Sequence, residues 1–434
     1  MIVENPIAHK SPDENPGAGG AEFDLLLACC GSGKNDRILK LVSSTPDWDT
    51  VLRIAKHHRL IPQLYEGLRG ARDEDILPPD FLQRLRKLYD ANVRQTFRLT
   101  RDLVRVLRHF EARGIPVLPY KGPVLATILY GDFTQRQFAD LDLLVHPSDV
   151  ERSKAALIEL GYTPGFSLTP VEEKKYLKAG NEYAFDATDA RNVVELQWQI
   201  LPRFYSIEFD IAGFFERSAE VDVSGYCART LCAEDLLLVL CVHAAKHAWA
   251  ELSLVADIAG VVQSQSINWG AVCDQAGQLG VRRIVGLNLK LAHILLGTAL
   301  PPSILEEVER DAAVNSLTQK ILPVLINSTQ VDTESISYFR LMLEIRERWR
   351  DRVRFLWRLI VTPNMGEWSV VRLPARLFPL YQVVRICRLA GRFLSFLWLQ
   401  MRGDRANSGD SGDAQASDLV KLKFSTHGNG ARII

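Results

Sequence analysis

The residues best suited by type and spacing to do chemistry are Asp140 and Asp142, in the run Arg136-Gln-Phe-Ala-Asp140-Leu-Asp142-Leu-Leu-Val. On a β-strand, residues two apart share a face, so both carboxylates project together while Leu141 and Leu143 turn to the opposite, buried side. Paired carboxylates suit a hard divalent cation, Mg²⁺ (or Mn²⁺), which takes oxygen ligands from one or two acidic side chains and from the phosphates of a substrate. Ions held this way steady the attacking and leaving oxygens of a phosphoryl or nucleotidyl transfer. Taken alone, an Asp-x-Asp is a common pattern, equally at home as a boundary residue followed by a solvated strand residue.

The elements that must position the pair are legible around it. Gly114-Ile-Pro-Val-Leu-Pro-Tyr120 reads as a short strand, Lys121-Gly122 as a tight turn, and Pro123 as the opening of a helix through about Tyr130. A helix N-terminus behind a glycine turn presents free N–H groups to phosphate, and Lys121 and Arg136 supply positive charge to a polyphosphate. Leu141 to Val145 is the next strand, followed by a helix from Pro147-Ser148 that ends at Gly161. Further on, Glu182-Tyr-Ala-Phe-Asp and Val193-Val-Glu195-Leu-Gln197-Trp-Gln199-Ile form a hairpin through a turn at Asp189 to Asn192. Alternation in its second arm places Glu195, Gln197 and Gln199 on one face.

On both sides of this region the apolar spacing is helical, from Glu22 to Glu111 and again from Glu234 to about Leu399. The expected architecture is therefore α+β: a helical N-terminal region (21–112), a sheet-bearing core (113–230) and a helical C-terminal region (231–402). Residues 1–20 and 403–434 are rich in Gly, Pro, Ser and charge without periodicity and read as flexible ends.

Composition bounds the rest. A chain of 434 residues with 47% hydrophobic content buries a sizeable core. Lysine plus arginine and aspartate plus glutamate both number 52, so no global field draws in nucleic acid, and there is no strong nucleic-acid signal. The N-terminus lacks a basic stretch followed by an apolar run, and the apolar segment Phe393 to Leu399 is far shorter than the ~20 residues a spanning helix needs. A cytoplasmic protein is expected, with its seven scattered cysteines as reduced core residues.

The run Leu118-Pro-Tyr-Lys121-Gly122-Pro through Tyr130 and Arg136 to Asp140-Leu-Asp142-Leu-Leu-Val145 resembles the signature of a bacterial family of uncharacterised nucleotidyltransferases, within the polymerase β-like superfamily. Glu195-Leu-Gln-Trp198 is similar to that family's later acidic strand. His243-Ala-Ala-Lys246-His247 with Ala256-Asp257-Ile is similar to its helical segment, and Leu373-Pro374 through Tyr381 to Arg388 to its end, so the likeness extends over most of residues 22 to 390.

The resemblance implies a nucleotidyltransferase-like mixed β-sheet core in which Asp140, Asp142 and Glu195 are catalytic and hold the metal. It implies a nucleoside triphosphate donor and an unidentified acceptor, whether small molecule, peptide or glycan. Nucleotide and phosphate contacts are expected from Lys121, Gly122, Arg136, Lys246 and His247. Transfer of a sugar or phosphoryl group, or nucleotide binding without catalysis, are the alternatives. The wider superfamily has Gly-Ser where Lys121-Gly122 stands, and members of the family commonly have His at Gln197, where an amide has no acid–base role near neutral pH.

Three other features have simpler readings. Gly31-Ser-Gly33-Lys34 lacks the earlier glycine, the following hydroxyl and the preceding strand of a phosphate loop. His243 and His247, four apart on a helix, share a face, and packing accounts for at least one of them. The arginines from Arg346 to Arg358 and Arg385, Arg388 and Arg392 alternate with large apolar residues; docking on the protein is favoured over a weak membrane-surface contact.

Overall fold

Alternation along the strands decides which side of the sheet is packed. The computed structural model describes residues 20–31, 35–70, 77–166, 168–187, 193–333 and 335–362, together with residues 383 and 385. Five strands, β1 (Val117–Pro119), β2 (Asp140–Val145), β3 (Tyr162–Pro164), β4 (Glu182–Ala187) and β5 (Val193–Gln197), form one mixed sheet in the order β1-β2-β5-β4-β3. Only the β2 and β5 pair is parallel; β1 with β2, β4 with β5, and β3 with β4 are antiparallel.

Leu141, Leu143 and Val145 of β2, Tyr183 and Phe185 of β4, and Val194 and Leu196 of β5 point to one face and are buried there. That face packs beneath the second half of the long helix Pro79–Glu111, through Leu99, Leu103, Val106 and Phe110, and beneath Val150, Ala156 and Leu157 of helix Val150–Glu159. The alternate residues, Asp140 and Asp142 of β2, Glu195 and Gln197 of β5, and Glu182 of β4, therefore share the other face.

The expected strand, turn and helix before the Asp pair are present: β1 is followed by helix Gly122–Tyr130, with proline in its first turn and Gly131 at its end in the left-handed conformation. The hairpin of β4 and β5 is also as expected, although β5 ends at Gln197 and Gln199 lies beyond the strand, so Gln199 does not share the carboxylate face by strand geometry. A second, two-stranded sheet of β6 (Ala219–Val223) and β7 (Tyr226–Thr230) and the helix Pro170–Ala179 were not legible in the hydrophobic pattern. Both strands have exposed or half-exposed residues at most positions, and although Val221 and Val223 alternate with Glu220 and Asp222 in β6, five residues are a short signal and β7 does not repeat it.

The flanking helical regions do not form separate cores. Helices Ala21–Cys30, Asn35–Ser43, Trp48–His57 and Ile61–Gly70 share one continuous apolar cluster with Ala233–Lys246, Leu252–Ser264, Arg282–Leu296 and the helices that follow. These described residues fall within the single unit Met1–Arg385.

His58 is one of the fasteners of that shared core. It is fully buried and accepts the Leu252 backbone N–H at Nδ1 (3.0 Å), which leaves Nε2 as the donor toward Ser328 Oγ at 3.2 Å. Burial, reinforced by neighbouring His57, pushes its pKa down to about 4.

Of the described cysteines, Cys29 and Cys241 are buried, but Cys227 is exposed, contrary to the expectation of core cysteines; it sits on the two-stranded sheet. No described helix is long and apolar enough to cross a membrane. The residues read as flexible ends, apart from Gly20, lie outside the described residues, as do Ser32 to Lys34, the turn at Asp189 to Asn192, and Cys387.

Replacing His58 with Ala is expected to cost about 2–4 kcal/mol at pH 7, through a cavity and an orphaned Leu252 N–H. The depressed pKa makes the histidine's stabilisation complete above its ordinary value of 6.5 and lost as pH falls toward about 4. Urea midpoints for wild type and variant should therefore converge across that window; a constant gap would contradict the role given to the neutral ring.

Candidate active site

The carboxylate face is organised by the pairing of β2 with β5. Their parallel register sets Asp142 opposite Glu195, with Leu144 opposite Gln197, and the antiparallel register of β4 sets Glu182 opposite Gln197. Four acidic side chains are thus gathered on one side of three neighbouring strands.

Two groups offset the crowding. The Lys121 ammonium lies 3.0 Å from Asp142 Oδ1, and both side chains are largely buried. The Gln197 amide donates from Nε2 to Asp142 Oδ1 (3.1 Å) and Glu195 Oε2 (3.0 Å), and lies 3.5 Å from Glu182 Oε2. Its carbonyl oxygen accepts from the buried Tyr120 hydroxyl at 2.5 Å. Tyr120 can act only as donor toward that oxygen, which fixes the amide's orientation with its N–H groups toward the carboxylates. Gln197 therefore has no proton to trade, yet it ties two carboxylates together.

Lys121 is aimed by the glycine behind it. Gly122 sits at φ +54, and a Cβ there would stand 3.2 Å from the Asp140 carbonyl oxygen, so a side chain would strain the turn and crowd β2. The following helix thus begins directly beside the Asp pair.

Charge crowding shows in the acids. Burial first, and then the negative charges of Glu182, Asp142 and Asp140, push Glu195 up to about 8. Burial and the neighbouring Asp142 also raise Asp140, while Lys121, Arg136 and Arg59 counteract. Burial disfavours the Lys121 ammonium, but Asp142, Tyr120 and Glu195 outweigh it and hold the group charged.

Arg136 stands differently from the phosphate contact expected of it. Its Nε and Nη2 donate to the two oxygens of Asp257 at 2.9 and 2.8 Å, in a bidentate pair with both side chains buried. The close approach that permits this is at Gly260, where a Cβ would meet Leu129 at 2.9 Å as helix Leu252–Ser264 crosses helix Gly122–Tyr130. Two of the guanidinium's donating nitrogens are committed, and Arg136 fastens the loop before β2 to the helical region.

His243 and His247 lie with ring centroids 4.5 Å apart and their planes tilted by 58°, on helix Ala233–Lys246 and at its end. Burial pushes His243 well down, assisted by Lys121, His247, Lys246 and Arg136, and holds His247 at about 3, assisted by Lys246, Lys121 and Arg59. Both rings are therefore neutral beside the Lys121 side of the site. Lys246 is half-buried, and among the described residues its ammonium has neither a hydrogen bond nor an ion pair.

Sequence reasoning missed Arg59, Tyr120, Glu182 and the linking role of Gln197. Arg59 has a left-handed backbone (φ +54), with Nε 3.1 Å from Glu251 Oε2 and its side chain 35% exposed. Its neighbours are clamped on both sides, His57 Nε2 to the Ala250 carbonyl (3.2 Å) and the Ile61 N–H to Gln137 Oε1 (2.9 Å). No motif surrounds it, and only the tertiary clamp brings it beside Asp140.

Among the described residues, no three His, Cys, Asp or Glu side chains are gathered so that they could hold a metal ion by themselves. A match to the family model for uncharacterised nucleotidyltransferases covers residues 44–297, from the N-terminal helices through the sheet to helix Arg282–Leu296. The chain belongs to that family. The match ends before Leu373 to Arg388, the stretch likened to the family's end, which lies outside the described residues save residues 383 and 385. No curated protein and no solved structure matches the chain.

Because Glu195 is raised from its ordinary 4.5 to about 8, its contribution to stability is full below the ordinary value and is lost as pH rises through about 8. Glu195→Gln should leave the melting temperature unchanged near pH 4 and raise it by about 2 °C near pH 9, the scale of 1 kcal/mol in a large domain. Scanning fluorimetry at both pH values checks this, and a lower melting temperature for the variant near pH 9 would contradict it.

Proposed function

We propose that the protein transfers a nucleoside monophosphate from a nucleoside triphosphate to a hydroxyl-bearing acceptor, the acceptor oxygen bonding to the α-phosphorus as its bond to the β-phosphate breaks and pyrophosphate leaves, with Mg²⁺ or Mn²⁺ bound at Asp140 and Asp142. The observation that carries this reading is the cross-strand placement of Asp142 against Glu195, with Asp140 on the same face and Lys121 at hydrogen-bond distance. Membership of a nucleotidyltransferase family supports it.

The donor set fits the ion. All the ligands offered are carboxylate oxygens, and Mg²⁺ needs only one or two of them because triphosphate oxygens and water complete its shell. The raised Asp140 and Glu195 point the same way, since crowded acids are a charge deficit that a divalent cation removes. When bound, the ion supplies neutralisation of phosphate charge and alignment of the attacking and leaving oxygens.

The chain's own residues do the rest. Asp140 and Asp142 hold the ion, and Gln197 keeps Asp142 and Glu195 in a fixed relation. Glu195, as a carboxylate, accepts the acceptor's hydroxyl proton. Lys121, 3.0 Å from Asp142, would bind a phosphate of the triphosphate with Asp142 engaged by the ion. The Gly122 turn offers backbone N–H groups to a phosphate, and Lys246 and His247 close the site from the helical side. Arg136 acts through Asp257 as a positioning residue. The transfer is then mostly placement and charge neutralisation, which suits phosphoryl chemistry.

Incubation with Mg²⁺ and each α-labelled triphosphate, across hydroxyl acceptors of small-molecule, peptide and glycan type, is expected to give label transfer. Asp142→Asn should lower transfer by about 10³-fold, the scale of losing a main electrostatic element. Identical transfer by wild type and variant would sink the proposal.

A further inference from the structure

We infer that helix Trp349–Val361 lays a basic, apolar stripe on an anionic lipid surface. The helix has two apolar sides with different fates. Phe355 and Leu359 are buried against the protein, with the Arg346 guanidinium 4.0 Å from the Phe355 ring centroid. This is the docking expected from the sequence, and it accounts for one side only.

Among the described residues, nothing covers the other side. Trp349 (71% exposed), Val353 (55%), Leu356 (43%), Trp357 (65%) and Ile360 (40%) fall within an arc of about 100° at helical spacing. Such a continuous apolar strip differs from singly scattered surface residues and marks a contact surface. Arg350 and Arg354 border it on one flank and Arg352 on the other, all exposed, while the helix contains a single acidic residue, Asp351.

Beside the stripe lies a cavity of about 600 Å³, lined by Arg283, Lys320, Arg340 and Arg352 with Glu344, and sharing Leu356 with the apolar strip. Glu344 is already matched by Lys320 and Arg340, so the cavity's balance is positive. A tryptophan-bearing stripe flanked by arginines, next to a cationic recess, fits the interface of a bilayer: rings at acyl depth, guanidinium groups at the phosphates, and a headgroup in the recess.

The sequence adds charge in the same direction. From Arg346 to Arg402 it has twelve arginines and three acidic residues, in a chain whose formal net charge is +0. That asymmetry favours an anionic bilayer over a second copy of this chain, whose stripe would bring arginines against arginines.

The test uses the full-length chain and sedimentation with vesicles of phosphatidylcholine alone or mixed with phosphatidylglycerol. Wild type is expected to bind the mixed vesicles, to release in high salt, and to ignore the neutral ones. Trp349→Ser with Trp357→Ser, and separately Arg350→Glu with Arg354→Glu, should each weaken binding about tenfold or more, with unchanged melting temperature because all four side chains are exposed. No binding to either vesicle, equal binding to both, or variants that bind like wild type would overturn the inference. So would light scattering that shows a dimer lost in the tryptophan variant, since a second copy would then cover the stripe. Triphosphate transfer by the same variants separates this outcome from the active-site proposal, which does not involve the helix.

Discussion

Like charges held close on one sheet face are the constraint on which the rest of this molecule turns. The parallel pairing of β2 with β5 sets Asp142 directly beside Glu195, with Glu182 on the next strand and Asp140 two residues away. Carboxylates at such spacing repel, and burial strengthens the repulsion by removing water. The fold answers with one lysine and one amide. Lys121 supplies charge to Asp142, and Gln197 supplies hydrogen bonds to both neighbours while Tyr120 fixes its orientation. The result is a buried sheet face short of positive charge.

The helical regions serve that face. The N-terminal helices and the helices after β7 share one apolar core, so segments far apart in sequence are rigidly related across the site. His58 joins the first region to Leu252, and the Arg136–Asp257 pair joins the loop before β2 to the helix that contains Leu252. A buried bidentate ion pair is worth less as net stability than as a fixed geometry, because desolvating both charges offsets much of their attraction. Its value here lies in fixing the loop before β2, and with it the start of the strand that carries the Asp pair, against helix Leu252–Ser264.

Local chemistry was legible in the sequence and tertiary placement was not. The strand before Lys121, the glycine turn, the helix opened by Pro123 and the alternation in β5 all follow from neighbouring residues, and the α+β class follows from them. Asp257 pairs with Arg136 across 121 residues of sequence, a partnership that no local spacing reveals. Arg59 carries no motif, because its position depends on a left-handed backbone residue clamped between two loops. Gln197 was read as a position that had lost acid–base capacity. Its linking role depends on the cross-strand register with Glu182 and on a tyrosine seventy-seven residues earlier, neither of which local spacing reveals.

On the function proposed above, the crowded sheet face holds a divalent cation with a triphosphate. A crystal grown with Mn²⁺ and a non-hydrolysable nucleoside triphosphate tests it most directly through the anomalous signal of the metal. The expected peak lies within about 2.5 Å of oxygens from Asp140 and Asp142, with the Lys121 ammonium moved from Asp142 to a phosphate. A nucleotide bound elsewhere, or a sheet face with Lys121 still on Asp142 and no metal peak, would contradict it.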